Sequence, residues 1–275
     1  MTRRTRNQVI GGDPGADFTH QPASPDSENI LGFPVTTNST EECTAFLSDW
    51  ATTHQTDTRF CACANPHSLE TAKGDKAFHD ALQTCDVLTP DGIGVVLASR
   101  LLGGHIRRRI TGNDIFMALN HSLNERGVRY FFLGSTPMVL DRIRSRLAED
   151  FPGIEVAGTY SPPFVDQFSS RNNSEILDAV NHAKADVLWV GMTAPKQEKW
   201  ISANREQLGV NLACAVGAVF DFYAGTARRS STLFQRAGLE WLPRLIREPR
   251  RMWRRNINGV VFLLRAACAR VTAER

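Results

Sequence analysis

The stretch Gly191-Met192-Thr193-Ala194-Pro195-Lys196-Gln197-Glu198-Lys199-Trp200 directly follows the apolar run Val187-Leu188-Trp189-Val190. The run predicts a buried strand, and the stretch predicts a polar turn that leads into a helix. In α/β sheets, a strand that ends in such a turn places a ligand site at the junction. Pro195 suits the first helical position, and the backbone N–H groups of a helix start attract anions. An ordinary capped helix start is the alternative.

Strand-like and helix-like segments alternate through most of the chain. This pattern predicts an α/β fold with a mainly parallel sheet and helices on both faces. A capping box at Ser39 and Glu42 predicts an earlier helix that ends near Trp50. The predicted strands lie near 60–64, 87–88, 130–133, 155–159, 187–190 and 212–216. The predicted helices lie near 68–83, 92–102, 113–125, 137–150, 175–183 and 195–208.

The 275 residues suffice for one large domain with extensions. Residues 1–27 lack hydrophobic periodicity, which predicts a disordered N-terminal tail. Residues 28–235 form the predicted core, and residues 236–275 form a predicted basic helical appendage in which Pro249 interrupts the helix. From Gln235 to Arg270, nine arginines stand against two acidic residues, which gives this segment a net charge of +7.

Six cysteines without paired spacing are expected to be reduced, buried thiols of a cytoplasmic protein. We expect no secretory leader, and the apolar run 260–264 is far shorter than the roughly 20 residues of a membrane-spanning helix. The protein is therefore expected to be cytoplasmic, although part of it could lie on a membrane surface.

Ligands of parallel sheets gather beyond the carboxyl ends of the strands. There, Asp91 is the best-placed carboxylate for general-base chemistry, although Asp is also a common helix N-cap. Asn65 could bind a sugar hydroxyl or a base edge, although an Asn-Pro turn explains it equally well. The same rule indicates the segments 134–136, 191–197 and 217–221.

Arginines provide candidate anion sites. Arg109 precedes a predicted helix and could bind a phosphate or carboxylate, but it stands among three arginines that would also suit a solvated loop. Arg244, Arg251 and Arg254 would share a face of a continuous helix, and their charge would suit a diphosphate, an anionic lipid surface or nucleic acid. The sequence contains no Asp-x-Asp triplet, no phosphate-binding Gly-x-x-x-x-Gly-Lys loop and no strand-linked Gly-x-Gly-x-x-Gly.

From about residue 30 to residue 255, the chain resembles the bacterial WecG/TagA/CpsF glycosyltransferases, which belong to glycosyltransferase family 26. The resemblance rests on ordered blocks: Ile30-Leu31-Gly32-Phe33-Pro34-Val35, Asn65-Pro66-His67, Asp91-Gly92-Ile93-Gly94-Val95-Val96, Arg109-Ile110-Thr111-Gly112, Phe132-Leu133-Gly134-Ser135, Ala194-Pro195-Lys196-Gln197-Glu198, Gly217-Ala218-Val219-Phe220-Asp221-Phe222 and Gly238-Leu239-Glu240-Trp241-Leu242-Pro243-Arg244.

The resemblance implies a Rossmann-like, inverting, metal-independent transferase that works without a cofactor. It would move a hexose or N-acetylhexosamine, with N-acetylmannosamine favoured, from a UDP-sugar to an undecaprenyl-diphosphate-linked sugar. In surface polysaccharide synthesis this occurs at the inner face of the cytoplasmic membrane. The implied roles are base for Asp91, substrate binding for Asn65, Arg109 and Gln197, and diphosphate binding for Arg244, Arg251 and Arg254.

Two positions depart from the family pattern. Cys63 stands where a threonine is common, and Thr193 stands where a glycine is common, so Thr193 is expected to restrict the backbone. Nucleic acid is not an expected partner, and the sequence does not decide whether the protein forms a homo-oligomer. The alternative function is a non-catalytic binding protein whose basic tail binds nucleic acid or anionic membrane.

Overall fold

Six parallel strands form the central sheet of the structure, a computed structural model that describes residues 25–54, 56–227 and 249–273. The strand order is β4-β3-β8-β7-β5-β6, and a separate antiparallel hairpin pairs β1 with β2. The strands are β1 (Ser27–Ile30), β2 (Phe33–Thr36), β3 (Arg59–Ala64), β4 (Val87–Pro90), β5 (Arg129–Gly134), β6 (Glu155–Tyr160), β7 (Val187–Gly191) and β8 (Leu212–Ala215).

Apolar side chains on both faces explain why these segments form a buried parallel sheet. Successive residues of β5 and β7 alternate between two core clusters, so that Leu188 and Val190 pack on one side while Trp189 packs on the other. Such two-sided burial requires helices over both faces. The predicted α/β class and all six predicted strands of the parallel sheet are thus confirmed.

Helices connect the strands. They are α1 (Thr40–Thr52), α2 (Pro66–Ala72), α3 (Lys76–Thr84), α4 (Ile93–Leu101), α5 (Gly112–Leu123), α6 (Pro137–Asp150), α7 (Ser170–Ala183), α8 (Lys196–Asn204), a 3-10 turn (Arg205–Gln207), α9 (Val219–Tyr223) and α10 (Pro249–Ala273). The Ser39–Glu42 capping box is present. Two predictions were wrong in detail. Segment 68–83 is two helices because Asp75 caps a new one, and Pro195 is the N-cap of α8 rather than its first residue.

The cysteines differ in their surroundings. All six are free thiols, as predicted. Cys43, Cys61 and Cys214 are buried and two others are half-buried, but Cys268 is exposed on α10. The prediction of uniformly buried thiols was therefore wrong for Cys268, which lies on the exposed side of α10 although Ala266, two residues earlier, is buried.

The strand register brings one edge of the sheet together. Ala64 of β3 pairs with Pro90 of β4, and Val190 of β7 pairs with Ala215 of β8. Since β3 and β8 also pair in parallel, the carboxyl ends of all four strands lie at the same edge. The turns after these strands are therefore neighbours in space.

The C-terminal helix α10 packs against α2 and α4. Its Phe262 and Ala266 are fully buried, and Asn258 Nδ2 donates to His67 Nδ1 of α2 across 3.0 Å. An ion pair between Arg265 and Glu70 adds a second link, at 3.6 Å. Within the described ranges, none of the helices combines the length and hydrophobicity needed to cross a lipid bilayer.

Replacing Phe262 with alanine should lower the free energy of unfolding by about 3 kcal/mol, because it leaves a cavity under α10. Leu264 is the matched control, since it lies on the same helix with 61% of its surface exposed. Leu264→Ala should change stability by less than about 0.5 kcal/mol. Urea denaturation would measure both values, and equal midpoints for the two variants would contradict the packing of α10.

Candidate active site

A cleft of about 610 Å³ opens at the carboxyl edge of the sheet, between the turns that follow β3, β4, β7 and β8. This is the edge at which α/β sheets bind ligands. Its polar and charged lining residues are Cys63, Asn65, His67, Ser68, Thr71, Asp91, Thr111, Asn113, Thr193, Gln197, Glu198 and Asp221.

Asn65 follows β3 directly and caps α2. Its Oδ1 accepts from the Ser68 backbone N–H at 3.0 Å, and Ser68 Oγ in turn accepts from the Asn65 N–H at 2.8 Å. Asn65 is therefore a helix cap, as the alternative interpretation held, and it also lines the cleft. Because the cap uses Oδ1, the Nδ2 amide is the group with which Asn65 would bind a ligand.

Asp91 follows β4, and its backbone N–H donates to Ala64 O at 2.7 Å. The N-cap of α4 is Gly92, with φ at +107°, and no side chain caps this helix. The alternative that Asp91 serves as an N-cap is thus wrong, and its carboxylate lines the cleft instead. Beside it, a Cβ on Gly94 would lie 2.5 Å from Pro66 Cγ, so the starts of α2 and α4 are in contact.

Gln197 lies in the first turn of α8 with 4% of its surface exposed. Its Oε1 accepts from the Gly217 backbone N–H at 3.1 Å, and its Nε2 donates to Glu198 Oε1 at 2.8 Å. The turns after β7 and β8 are joined through this amide.

Glu198 is the most unusual group in the cleft, because its carboxyl is 2% exposed. Burial raises its pKa from the ordinary 4.5 to about 7, although the hydrogen bond from Gln197 acts in the opposite direction. Its second oxygen, Oε2, is buried and has no hydrogen-bond partner in the part of the chain that the structure describes. A carboxyl with these properties can hold or release a proton near neutral pH.

The two departures from the family pattern lie in the cleft as well. Burial, together with the charges of Asp91 and Glu198, raises the pKa of the Cys63 thiol well above its usual range, so Cys63 is a neutral group beside two acids. Thr193 does not have a positive φ, and it is exposed. The threonine at this position therefore does not strain the backbone of the turn.

The structure brings together three of the predicted site residues: Asn65, Asp91 and Gln197 all line the cleft. Arg109 is half-buried just before Thr111 and is not among the lining residues. Arg244 lies outside the described residues. Arg251 and Arg254 belong to α10, but their side chains lie outside the described part of the chain.

Sequence reasoning assigned no role to Glu198 or Asp221, although both belong to quoted motifs. Both line the cleft, so with Asp91 it contains three carboxyl groups, and within the described ranges no lysine or arginine lines it. The signal for Asp221 was its place after β8. Glu198 gave no signal, because a glutamate in a first helical turn is ordinary.

The parallel sheet and this polar cleft at its carboxyl edge define a Rossmann-like α/β protein with a ligand site lined by carboxyl and amide groups. The sequence model described as "Glycosyl transferase WecG/TagA/CpsF family" matches residues 28–275. The chain belongs to this family and is a glycosyltransferase.

Several similar proteins bear the name N-acetylglucosaminyldiphosphoundecaprenol N-acetyl-beta-D-mannosaminyltransferase. One from Bacillus spizizenii is 34% identical over 219 residues, 79% of this chain and 82% of that protein. One from Bacillus subtilis is 30% identical over 218 residues, with 78% and 82% covered. One from Staphylococcus aureus is 24% identical over 226 residues, with 82% and 87% covered.

The raised pKa of Glu198 predicts a pH-dependent stability. Between pH 4.5 and about 7, the folded state keeps a proton that the unfolded state has lost, so raising the pH through this window favours unfolding. When the pH is raised from about 5 to about 8, the free energy of unfolding of the wild type should fall by about 2 to 3 kcal/mol relative to that of Glu198→Gln.

Urea denaturation at the two pH values would measure this difference. Glu206→Gln is the matched control, because Glu206 is exposed shortly after the same helix. A difference between wild type and Glu198→Gln that does not change with pH would show that Glu198 titrates normally.

Proposed function

We propose that this enzyme transfers a sugar from a UDP-sugar to an undecaprenyl-diphosphate-linked sugar, with inversion and without a metal ion. The observation that carries the proposal is the convergence of Asp91, Asn65 and Gln197 on one cleft at the carboxyl edge of the sheet. The chain's membership in a glycosyltransferase family supports the reaction class.

Asp91 is the proposed general base. A base must reach the hydroxyl that it deprotonates, and Asp91 lines the cleft without serving as a helix cap. The acceptor hydroxyl would lose its proton to this carboxylate while the oxygen attacks the anomeric carbon. Attack from the face opposite the leaving nucleotide inverts that carbon.

We assign sugar binding to the side-chain amides. Asn65 offers Nδ2, and the Gln197 amide has one N–H beyond the one that Glu198 accepts. The names of the relatives indicate N-acetylmannosamine as the donated sugar and N-acetylglucosaminyldiphosphoundecaprenol as the acceptor. Because Cys63 alters the wall beside Asn65, this donor is the favoured one within a wider class of hexoses and N-acetylhexosamines.

The donor diphosphate requires positive charge, and the described cleft lining carries three carboxyl groups. We therefore assign its binding to Arg109, Arg244, Arg251 and Arg254, which would stabilise the leaving group in place of a metal. No cofactor forms part of the proposal.

The membrane contact is assigned to α10. Its exposed apolar residues recur at intervals of three, four and seven and so form one stripe: Trp253, Ile257, Val260, Leu264 and Val271. Residues 249–273 also contain six arginines and no acidic residue. Like charges on two copies of this helix would repel, whereas an anionic lipid surface offers complementary charge. This argues for a peripheral position at the inner face of the cytoplasmic membrane.

Helix α4 extends this surface toward the base. Its exposed residues Ile93, Leu97 and Leu101 are spaced by four and lie on a helix that packs against α10. Asp91 stands two residues before Ile93. A lipid-linked acceptor held at this surface would thus present its sugar close to the general base.

Replacing Asp91 with asparagine should lower kcat by about two to four orders of magnitude, because the amide cannot take the proton. The measurement is mass spectrometry of the lipid-linked product formed from a panel of UDP-sugars. A UDP-induced rise in melting temperature should persist, since donor binding does not need the base. Asp141→Asn is the control, because Asp141 is exposed on α6. Unchanged turnover by Asp91→Asn would remove the proposed base.

Replacing Val260 and Leu264 together with glutamate should weaken binding to phosphatidylglycerol-containing vesicles at least about tenfold, because it places negative charge in the apolar stripe. Co-sedimentation at low and high salt measures this effect. Met138→Glu provides the control, since Met138 is equally exposed on α6. If the double variant sediments like the wild type, α10 is not the membrane contact.

A further inference from the structure

The amide of Gln197 has one defined orientation. A backbone N–H can only donate, so the contact with Gly217 identifies the acceptor as Oε1. Nε2 then faces the Glu198 carboxyl, which accepts at 2.8 Å. A reversed amide would place donor against donor at Gly217 and acceptor against acceptor at Glu198.

The carboxyl of Glu198 is held on one side only. Oε1 accepts from Gln197, whereas Oε2 is shielded from bulk water and has no hydrogen-bond partner among the described residues. Leaving a buried carboxyl oxygen without a partner costs free energy, so the bond from Gln197 is the main interaction that stabilises the ionised carboxylate.

We infer that Glu198 is a positioning residue: by accepting from Nε2 it holds the Gln197 amide in this orientation and leaves the second Nε2 hydrogen for the bound sugar. This inference rests on the proposed function for the identity of the sugar. The orientation of the amide does not depend on that identity.

The inference predicts a pH dependence of sugar binding. The ionised carboxylate is the stronger acceptor, and because the pKa of Glu198 is about 7, ionisation becomes complete above neutrality. The other titratable groups that line the cleft are Cys63 on β3, His67 on α2, Asp91 after β4 and Asp221 on α9. Cys63 stays neutral, and any titration of the remaining groups would persist when Glu198 is replaced.

Steady-state kinetics of the full-length enzyme with a UDP-sugar donor provide the first test. In the wild type, the donor KM should fall about tenfold from about pH 6 to about pH 8. In Glu198→Gln this dependence should be flat, because the amide still accepts from Gln197 but cannot ionise. In Glu198→Leu the KM should rise at least about tenfold at about pH 8, with a smaller change in kcat.

Glu206→Gln is again the matched control and should keep the wild-type profile. Melting temperatures confirm that each variant is folded. A donor KM in folded Glu198→Leu equal to that of the wild type, or a pH profile in Glu198→Gln identical to that of the wild type, would overturn the inference.

An NMR measurement separates this inference from the proposed function. The side-chain NH2 signal of Gln197, assigned by its loss in Gln197→Glu, should shift with pH near 7 in the wild type and stay fixed in Glu198→Gln. If this signal titrates while the enzyme forms no lipid-linked product from UDP-sugars, the proposed function fails and the positioning role stands. If product forms but the signal does not titrate, the positioning role fails.

Discussion

Parallel, in-register pairing of β3, β4, β7 and β8 is the constraint on which the active site depends. Because Ala64 pairs with Pro90 and Val190 pairs with Ala215, four strands end at one level, and the residues that follow them face a common space. The backbone hydrogen bonds of a parallel sheet leave little freedom in this arrangement, since a register shift moves every side chain to the other face. The cleft is thus a consequence of strand pairing, and its chemistry depends on which residues come next.

Close packing then fixes the turns against each other. A Cβ on Gly191 would lie 2.3 Å from the ring of Phe220, so the end of β7 touches the helix that follows β8. On the other side of the cleft, Gly94 packs against Pro66 in the same way. Rigid contacts of this kind hold catalytic groups at fixed separations, which is what orientation of two substrates requires. The bond between Gln197 and Gly217 adds a polar link to these apolar ones.

Much of this arrangement was predictable from the sequence, because hydrophobic runs and polar turns are local signals. The six strands of the parallel sheet and the positions of Asn65, Asp91 and Gln197 at its edge follow from them. The division of segment 68–83 was missed because helical periodicity continues through the Asp75 cap. The burial of Glu198 was not predictable, since it depends on packing between α8 and distant strands. For the arginines of the tail, the sequence predicted a positive charge but not the site that this charge serves.

The negative charge of the cleft lining bears on the proposed role of the tail arginines. A nucleotide diphosphate carries negative charge, and three carboxyl groups in the described lining would repel it unless some of them were protonated or cations stood nearby. Burial raises the pKa of Glu198 to about 7, so this carboxyl is fully ionised only above neutrality. On the proposed function, arginines outside the lining would supply the compensating positive charge. Helix α10 contains six arginines and packs against α2 and α4, and Asn65 and Asp91 lie at or next to the N-caps of those two helices. If the tail arginines bind the donor diphosphate as proposed, an anionic membrane beside α10 would compete for the same charge, and the two contacts would be coupled.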